Sequence, residues 1–598
     1  MKRLFKFFIP FLIIIATIAI ACNKSFLNKP PLGTLNPSVL ANEKGVQALL
    51  IGAYSCLDGE GGNGSGWGSA ASNWVYGSVC ADDAYKGSTP SDQGDILPLE
   101  TYSATPTNSY PLNKWQFCYN AIQRCNDVLR VMAQATDISS DEQASITAQA
   151  RFLRGFYHFE LKKVFGDVPY VDESVTIDSA SLVNNGTDIW PNIEADFQAA
   201  IDGLPIDWTS TGEIGRANKG AAIAFLAKAY MFEHKYDQAA PLLDQLINNT
   251  GGVGVTSSGK RYALNHYQDN FNPQTRNSPE SVFAAQMTVN DGSGNVGNGN
   301  GNYGDVLNFP YGGGPGACCG FFNPSQSLAN AYKTDANGLP LLDGSYNNGV
   351  NVSDPTNPYK GTLDPRIDWV MGREGIPYLD WGPHPGDSWI RDPQNDGHFN
   401  PKKNVYAQAQ KGTYSDASSN WANVELDANN VNLIRYADVV LWRAECYVEA
   451  NDLSNAAKLV NEVRQRAADP TGWVYKNATY DPASGTYAPQ TTPADNYKIG
   501  LYESFPSQDY ARKAVQFERR LELAMEGHRF FDLQRWDNGT GTMAATLNAY
   551  LTYEKTLRPS FVGASFTKGK NEVFAIPQSA IDIQNADGQQ HLKQNPGY

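Results

Sequence analysis

A mainly α fold, built on tetratricopeptide-like helical pairs with a loop-rich, mixed subdomain between them, is predicted from three observations. The first is a set of intervals that occurs twice. Ala227, Tyr230, Ala239, Leu243 and Leu246 stand three, nine, four and three residues apart, and Ala444, Tyr447, Ala456, Val460 and Val463 repeat that spacing without a slip. Small residues let two helices cross closely while Tyr and the aliphatics fill the groove, which is the frame of a repeated helical hairpin over 216–248 and 436–467. The second is helical periodicity of apolar residues over 42–57, 115–133, 144–165, 189–201 and 508–536. The third is a change of texture between about 250 and 430, where Gly, Asn and Pro crowd out aliphatics and rings are spaced among them.

The first residues set the compartment. Lys2, Arg3 and Lys6 precede an apolar run of fourteen residues, Phe7–Ile20, too short to span a bilayer comfortably but suited to a signal-peptide core. Ala19-Ile20-Ala21-Cys22 then reads as a lipobox, so cleavage before Cys22 and acylation of that cysteine are expected. Such a chain would hang from a membrane leaflet by its lipid. Phe26-Leu27-Asn28-Lys29-Pro30-Pro31 reads as an extended tether.

Loss of Lys2, Arg3 and Lys6 takes the net charge from −15 to −18. So acidic a balance argues against nucleic acid or an anionic surface as the target. Of eight cysteines, seven remain after Cys22, an odd number that leaves at least one unpaired. Cys118 and Cys125 lie about 10 Å apart along one helix, too far to bridge. No pair has C-x-x-C spacing, no structural zinc is expected, and adjacent Cys318-Cys319 reads as loop packing.

In chain order, the Gly/Ser loop at 59–72 holds Trp67 with almost no other apolar residue, and Trp74 follows in Asn73-Trp74-Val75-Tyr76. Rings with little core to join are candidates for meeting a ligand. Adjacent Asp82 and Asp83 point in different directions on any regular backbone, so they suit a turn or hydroxyl acceptance better than acid/base chemistry. Arg151, Arg154 and Glu160 read as helix-surface and interhelix pairs. Tyr303, Phe309, Tyr311, Phe321 and Phe322 are interleaved with glycines, and Gly375–Gly386 leads through Tyr378 and Trp381 to Trp389. Prolines stiffen that second run and hold its rings in place before a ligand arrives. In 508–536, His528 reads as a packing residue at the helix end.

Enzyme signatures fail on inspection. There is no H-E-x-x-H and no nucleophile elbow. Gly254 to Lys260 resembles a phosphate loop, but Arg261 replaces the Ser/Thr that would hold magnesium. Asp392, Gln394, Asp396 and Gly397 begin like a calcium loop, yet Lys403 stands where a bidentate Glu is needed, so calcium is the one cofactor left open and none is expected. No motif marks the carboxylate pair of a glycosidase. Binding is the positive signal: sugar C–H faces lie against the π face of Trp or Tyr, while carboxylates, amides and Arg take the hydroxyls. Such rings would equally suit a peptide or protein partner.

The chain resembles the SusD/RagB family of outer-membrane nutrient-binding lipoproteins. The resemblance is carried by the Cys22 lipobox, Ala81-Asp82-Asp83-Ala84-Tyr85-Lys86-Gly87, Ala150–Tyr157, Phe165-Gly166-Asp167-Val168-Pro169, Phe322–Gln326 and Leu363-Asp364-Pro365-Arg366. Its most specific block is Glu518-Arg519-Arg520-Leu521-Glu522-Leu523-Ala524 with Gly527–Trp536, and Ile576-Pro577 and Asn595–Tyr598 close the chain. It implies a SusD-like α fold, a SusC-like TonB-dependent transporter as partner, an outer-membrane location through the lipid, and capture of oligosaccharides, or peptides in some branches, without cleavage. The expected organisation is a signal peptide at 1–21, a lipidated tether at 22–40, a helical half at 41–250, a loop-rich ligand-binding subdomain at 251–430, and a second helical half with a closing segment at 431–598. The expected function is glycan binding with delivery to that transporter; a peptide-binding lipoprotein and a surface glycosidase are the alternatives. The expected platform is Trp67, Trp74, Tyr311, Trp381 and Trp389, with Asp82 and Asp83 taking hydroxyls or bracing it.

Overall fold

The structure is a computed structural model describing residues 37–59, 66–293, 299–354, 356–416, 425–488 and 491–598. Cys22 and the expected tether up to residue 36 lie outside the described residues, and the tether's last four residues, Pro37–Leu40, form a helical turn. The fold is mainly helical. The longer helices are α1 (Glu43–Tyr54), α2 (Ser109–Met132), α3 (Ser140–Phe165), α4 (Trp190–Gly203), α5 (Lys219–Phe232), α6 (Tyr236–Asn248), α7 (Tyr436–Glu449), α8 (Leu453–Ala468), α9 (Gln508–Glu522), α10 (Arg529–Asp537) and α11 (Thr542–Glu554). Local chemistry sets several ends. Asn42, Ser139, Asn218 and Ser507 cap α1, α3, α5 and α9 by accepting a backbone N–H of the first turn, and Gly166 at φ +72° stops α3. Among the described residues no helix is long and apolar enough to cross a membrane.

From α2 to α9 each of these helices packs on the next, so the two hairpins α5–α6 and α7–α8 meet through α6 and α7. In both copies the small and aliphatic positions, Ala227, Ala239, Leu243 and Leu246 and then Ala444, Ala456, Val460 and Val463, are fully buried. Tyr230 and Tyr447 are half-buried in both. Equal spacing therefore produces equal burial: the alanines sit where two backbones cross, and the tyrosines cover the edge of the crossing. The chain's last segment docks back on this stack, with Phe574 N–H donating to the Val164 carbonyl (2.9 Å) and the Asn595 amide bridging the Phe165 and Phe574 carbonyls (2.7 Å each).

Two short antiparallel ribbons join the loop-rich middle to the helices. Strand β1 (Ala84–Gly87) pairs with β3 (Phe321–Pro324), with Tyr85 opposite Asn323. Strand β2 (Ser281–Ala285) pairs with β4 (Val431–Arg435), with Ser281 opposite Arg435, and β4 runs directly into α7.

The periodic stretch at 508–536 is two helices rather than one. Between them Met525 and Gly527 take φ of +63° and +73°. Backbone crowding is the reason. A Cβ on Gly77 would lie 1.8 Å from the Gly527 carbonyl oxygen, and one on Gly527 would lie 1.9 Å from that of Ser72, so a side chain at either glycine is excluded. Helix α11 has no clean apolar stripe, and periodicity did not reveal it. His528 lies at a helix end, as the residue immediately before α10.

The block 518–535 is a buried ionic hub. Glu522 accepts from Arg366 (2.9 Å), Arg435 (2.6 Å) and Arg466; Glu518 accepts from Arg366 (2.6 Å) and Arg464 (2.8 Å). Arg435 also reaches Glu280 just before β2 (2.6 Å), Arg519 reaches Asp438 on α7 (3.1 Å), and Arg535 reaches Glu445 (2.6 Å). Burial by itself would push the Glu522 carboxyl up, but Arg466, Arg435 and Arg366 outweigh it and hold it well below the usual carboxylate range. Arg154 and Glu160 also pair, with Asp196 (2.7 Å) and Lys114 (3.1 Å), as interhelix contacts that are buried rather than on the surface.

Candidate ligand-binding face

Two loops build the face. The first leaves Leu307 and returns to it: Cys319 N–H donates to the Leu307 carbonyl (3.1 Å), Gly320 N–H to Phe309 (2.9 Å) and Gly312 N–H to Ala317 (3.2 Å). The second is the proline-stiffened run, folded on itself by Gly375 N–H to the His384 carbonyl and His384 N–H to that of Ile376 (2.9 Å each). Tyr311 N–H donates to the Trp389 carbonyl at 2.9 Å and locks the two loops together. Beneath them Phe309, Tyr378, Val405 and Tyr406 form a small core of their own, on which Trp381 and Trp389 pack half-buried.

The three rings brought together are not equivalent. Trp389 meets Tyr378 and His384 edge-on at 5.6 and 5.3 Å, and its indole is covered by the first loop. A Cβ on Gly313 would come within 2.4 Å of the Trp389 Nε1 and one on Gly314 within 2.7 Å of its ring, so glycine there lets backbone lie flat on the indole. Trp381 donates its Nε1–H to the Tyr406 carbonyl (3.0 Å) and shows solvent only part of its ring. Tyr311 is 39% exposed. The Arg391 guanidinium stands 5.0 Å from its ring centroid, held by Asp92 (2.5 Å) and Ser88 (2.8 Å). A guanidinium at that distance is attracted to the negative π system of the ring. Exposed Asp387 and Ser388, with the Ser388 carbonyl against Gly312, supply polar groups at its rim, and Asp387 also accepts from His398 Nδ1 (2.7 Å). Sequence reasoning missed Arg391, Asp387 and Ser388, because nothing local distinguishes them from other loop polar residues.

The remaining expected residues are placed elsewhere. Trp74 is fully buried against Phe321 and Phe322, with Nε1–H on the Gly304 carbonyl (3.1 Å), so it is a core ring and not a stacking surface. Trp67 is half-buried, 5.9 Å from Tyr303, and packs on the main core rather than with the Tyr311 group. Asp82 and Asp83 are buried and take guanidinium groups, not hydroxyls. Arg529 grips Asp82 at 2.7 and 3.0 Å and Arg520 reaches both carboxylates. Burial opposes ionisation at Asp82, yet Arg520 and Arg529 hold its carboxyl down at about 2, whereas burial dominates at Asp83 and lifts it to about 6. The Asp82 and Asp83 backbone carbonyls accept from Ser325 Oγ and N–H (2.8 Å each), which ties them to the residue that follows β3. A cavity of about 390 Å³ between α1 and residues 213–216 contains none of these rings.

Cys318 and Cys319 form a disulfide inside the first loop rather than simply packing there, and the five other described cysteines are free and buried. Residues 393–396 form a helical turn, and Asp396 Oδ2 accepts the Asp392 N–H (3.1 Å) instead of facing a cation loop. Lys403 is buried in an ion pair with Glu526 (2.5 Å). Among the described residues no group of three or more His, Cys, Asp or Glu could hold a metal ion.

Burial lifts the Asp396 carboxyl to about 8, with the nearby Asp392 charge adding and its backbone hydrogen bond opposing. The folded state then binds this proton where the unfolded chain has lost it, so stability falls as pH rises from about 4 to 8. Asp396→Asn, which mimics the protonated form, is expected to shrink by on the order of 2 kcal/mol the stability lost between pH 5 and 8. Urea titrations of both proteins at the two pH values measure it; equal losses would contradict the assignment.

The SusD family model matches residues 279–598, more than half of the 598-residue chain. The chain belongs to the SusD family. A second family model, described as starch-binding associating with outer membrane, matches residues 67–231 of this SusD family member. It is similar to SusD-like protein P25 of Formosa agariphila, 24% identical with 86% of each chain covered. It is similar also to SusD-like protein P2 of that organism, 24% identical over 89% of this chain and 90% of that one. Among solved structures, a laminarin binding SusD-like protein matches at TM-score 0.65 and 22% identity, covering 93% of this chain and 100% of that one. Surface glycan-binding protein A from Bacteroides thetaiotaomicron in complex with laminarihexaose matches at TM-score 0.62 and 19% identity, covering 93% and 99%. At these identities the structural likeness is one of fold, and it agrees with the mainly helical architecture.

Proposed function

We propose that this SusD family member captures an oligosaccharide noncovalently at the Tyr311 face and passes it, uncleaved, to a SusC-like TonB-dependent transporter in the outer membrane, where the lipidated Cys22 holds it. The observation that carries the binding reading is the Tyr311 ring, 39% exposed with the Arg391 guanidinium 5.0 Å from its centroid, on a loop bonded to a second aromatic loop. The sugar-binding fold neighbours support the ligand class, and the family match supports the location and the partner. Trp381 and Trp389 contribute exposed edges beside Tyr311, and Asp387 and Ser388 take hydroxyls.

Calorimetric titration of the soluble form beginning at residue 23, with laminarihexaose, other neutral oligosaccharides and a peptide mixture, tests this. Saturable heat with a sugar and no new reducing ends is the expected result. Heat with peptides alone would move the protein to the peptide-binding alternative, and new reducing ends would make it a glycosidase. Tyr311→Ala is expected to weaken sugar binding about tenfold, the loss of one stacked ring, with the melting temperature within about 2 °C of wild type. Undiminished affinity would remove Tyr311 from the site.

A further inference from the structure

We infer that the Cys318–Cys319 disulfide is a positioning element of the proposed ligand face, fixing the glycine-rich loop in the conformation that presents Tyr311. Resting as it does on the binding reading, it adds a covalent support and a sensitivity to reductant that the aromatic rings alone would not confer.

The loop needs such support. Gly312, Gly313, Gly314, Gly316 and Gly320 lie within ten residues of Tyr311, and Gly312, Gly314, Gly316 and Gly320 adopt φ between +68° and +79°. Ala317, just before the disulfide, is also left-handed at φ +52°. Gly313 and Gly314 let the backbone lie against Trp389 and Gly316 lets it lie against Phe309, but every glycine here also multiplies the conformations open to a free loop. The bonds that hold the tip of the loop are Gly312 to Ala317, Ala317 to Pro315, Gly316 N–H to the Tyr406 hydroxyl (3.1 Å) and the Tyr311–Trp389 link, and its return end is held by Cys319 to Leu307, Gly320 to Phe309 and Ser88 to Gly320. The disulfide sits where the loop rejoins the core. Cys319 is 7% exposed and its N–H is bonded to Leu307, whereas Cys318 is half-buried and reachable from solvent. Linking adjacent side chains removes rotations from those two residues, at the point where the Cys319 N–H bond to Leu307 returns the loop to the core. A face ordered before binding loses less entropy when the ligand arrives. Among the described residues this is the only disulfide, although five other cysteines are present, all buried and free.

The test compares oxidised protein, protein reduced with a water-soluble phosphine, the double variant Cys318→Ser/Cys319→Ser, and reduced protein reoxidised in air. Reduction delivers two electrons and two protons to the S–S bond and yields two thiols; the phosphine loses the electrons and takes oxygen from water to become its oxide. Hydrogen exchange at the Gly312, Gly316 and Gly320 amides is read in all four samples, alongside laminarihexaose and oligosaccharide titrations. Reduction and the double variant are expected to speed exchange at these amides about tenfold. They are also expected to weaken sugar binding three- to tenfold with the melting temperature unchanged within about 2 °C, and reoxidation should restore both. Unchanged exchange after confirmed reduction would overturn the inference. Faster exchange in a protein that binds no sugar of the panel in any form would uphold the loop's dependence on the disulfide and count instead against the glycan reading.

Discussion

Replacing Glu522 by Ala is expected to lower the unfolding free energy by about 3–5 kcal/mol, because it leaves guanidinium groups buried without their shared counter-charge. Glu522 has no exposed surface and accepts from Arg366, Arg435 and Arg466, the first two almost or wholly without solvent contact themselves. No water replaces the lost carboxylate there at low cost. Glu522→Gln should fall in the same direction, since it keeps the shape and loses the charge. The position joins distant pieces of the chain: Arg435 ends β4 and leads into α7, Arg466 lies on α8, and Arg366 belongs to the loop-rich middle. The hub thereby ties the segment around Arg366 to the helical stack. Urea unfolding at neutral pH measures the effect, and a loss below about 1 kcal/mol would show that the network is dispensable.

Trp74→Ala is expected to cost about 3–5 kcal/mol, the range for deleting a buried indole, and so to act on folding rather than on ligand capture. The ring packs 5.7 Å from Phe322 and 6.3 Å from Phe321, and its N–H satisfies the Gly304 carbonyl. Removing it empties a core position and orphans that carbonyl together. Thermal unfolding should show a large drop for Trp74→Ala and almost none for Tyr311→Ala, with the ranking reversed in sugar titrations. A Trp74→Ala protein with wild-type melting and impaired binding would return Trp74 to the ligand face.

The amino-acid sequence by itself determined what depends on spacing along one element. Both helical hairpins were legible because burial at a helix crossing repeats at fixed intervals, and Ala227 with Ala444, or Leu246 with Val463, ended in equal environments. The glycine-rich and proline-stiffened loops were legible as carriers of Tyr311, Trp381 and Trp389, and the 518–536 block carried the family resemblance. Only the tertiary structure decided which rings face solvent. Trp74 and Tyr311 both stand among small and aromatic residues, and the difference between them is the arrival of Phe321 and Phe322 on one and of Arg391 beside the other. It also decided the partners of Asp82 and Asp83, since Arg520 and Arg529 lie more than four hundred positions along the chain. Burial and charge pairing are properties of surfaces that meet in space. A local pattern states what a residue offers, and the other half of the contact comes from wherever the chain returns.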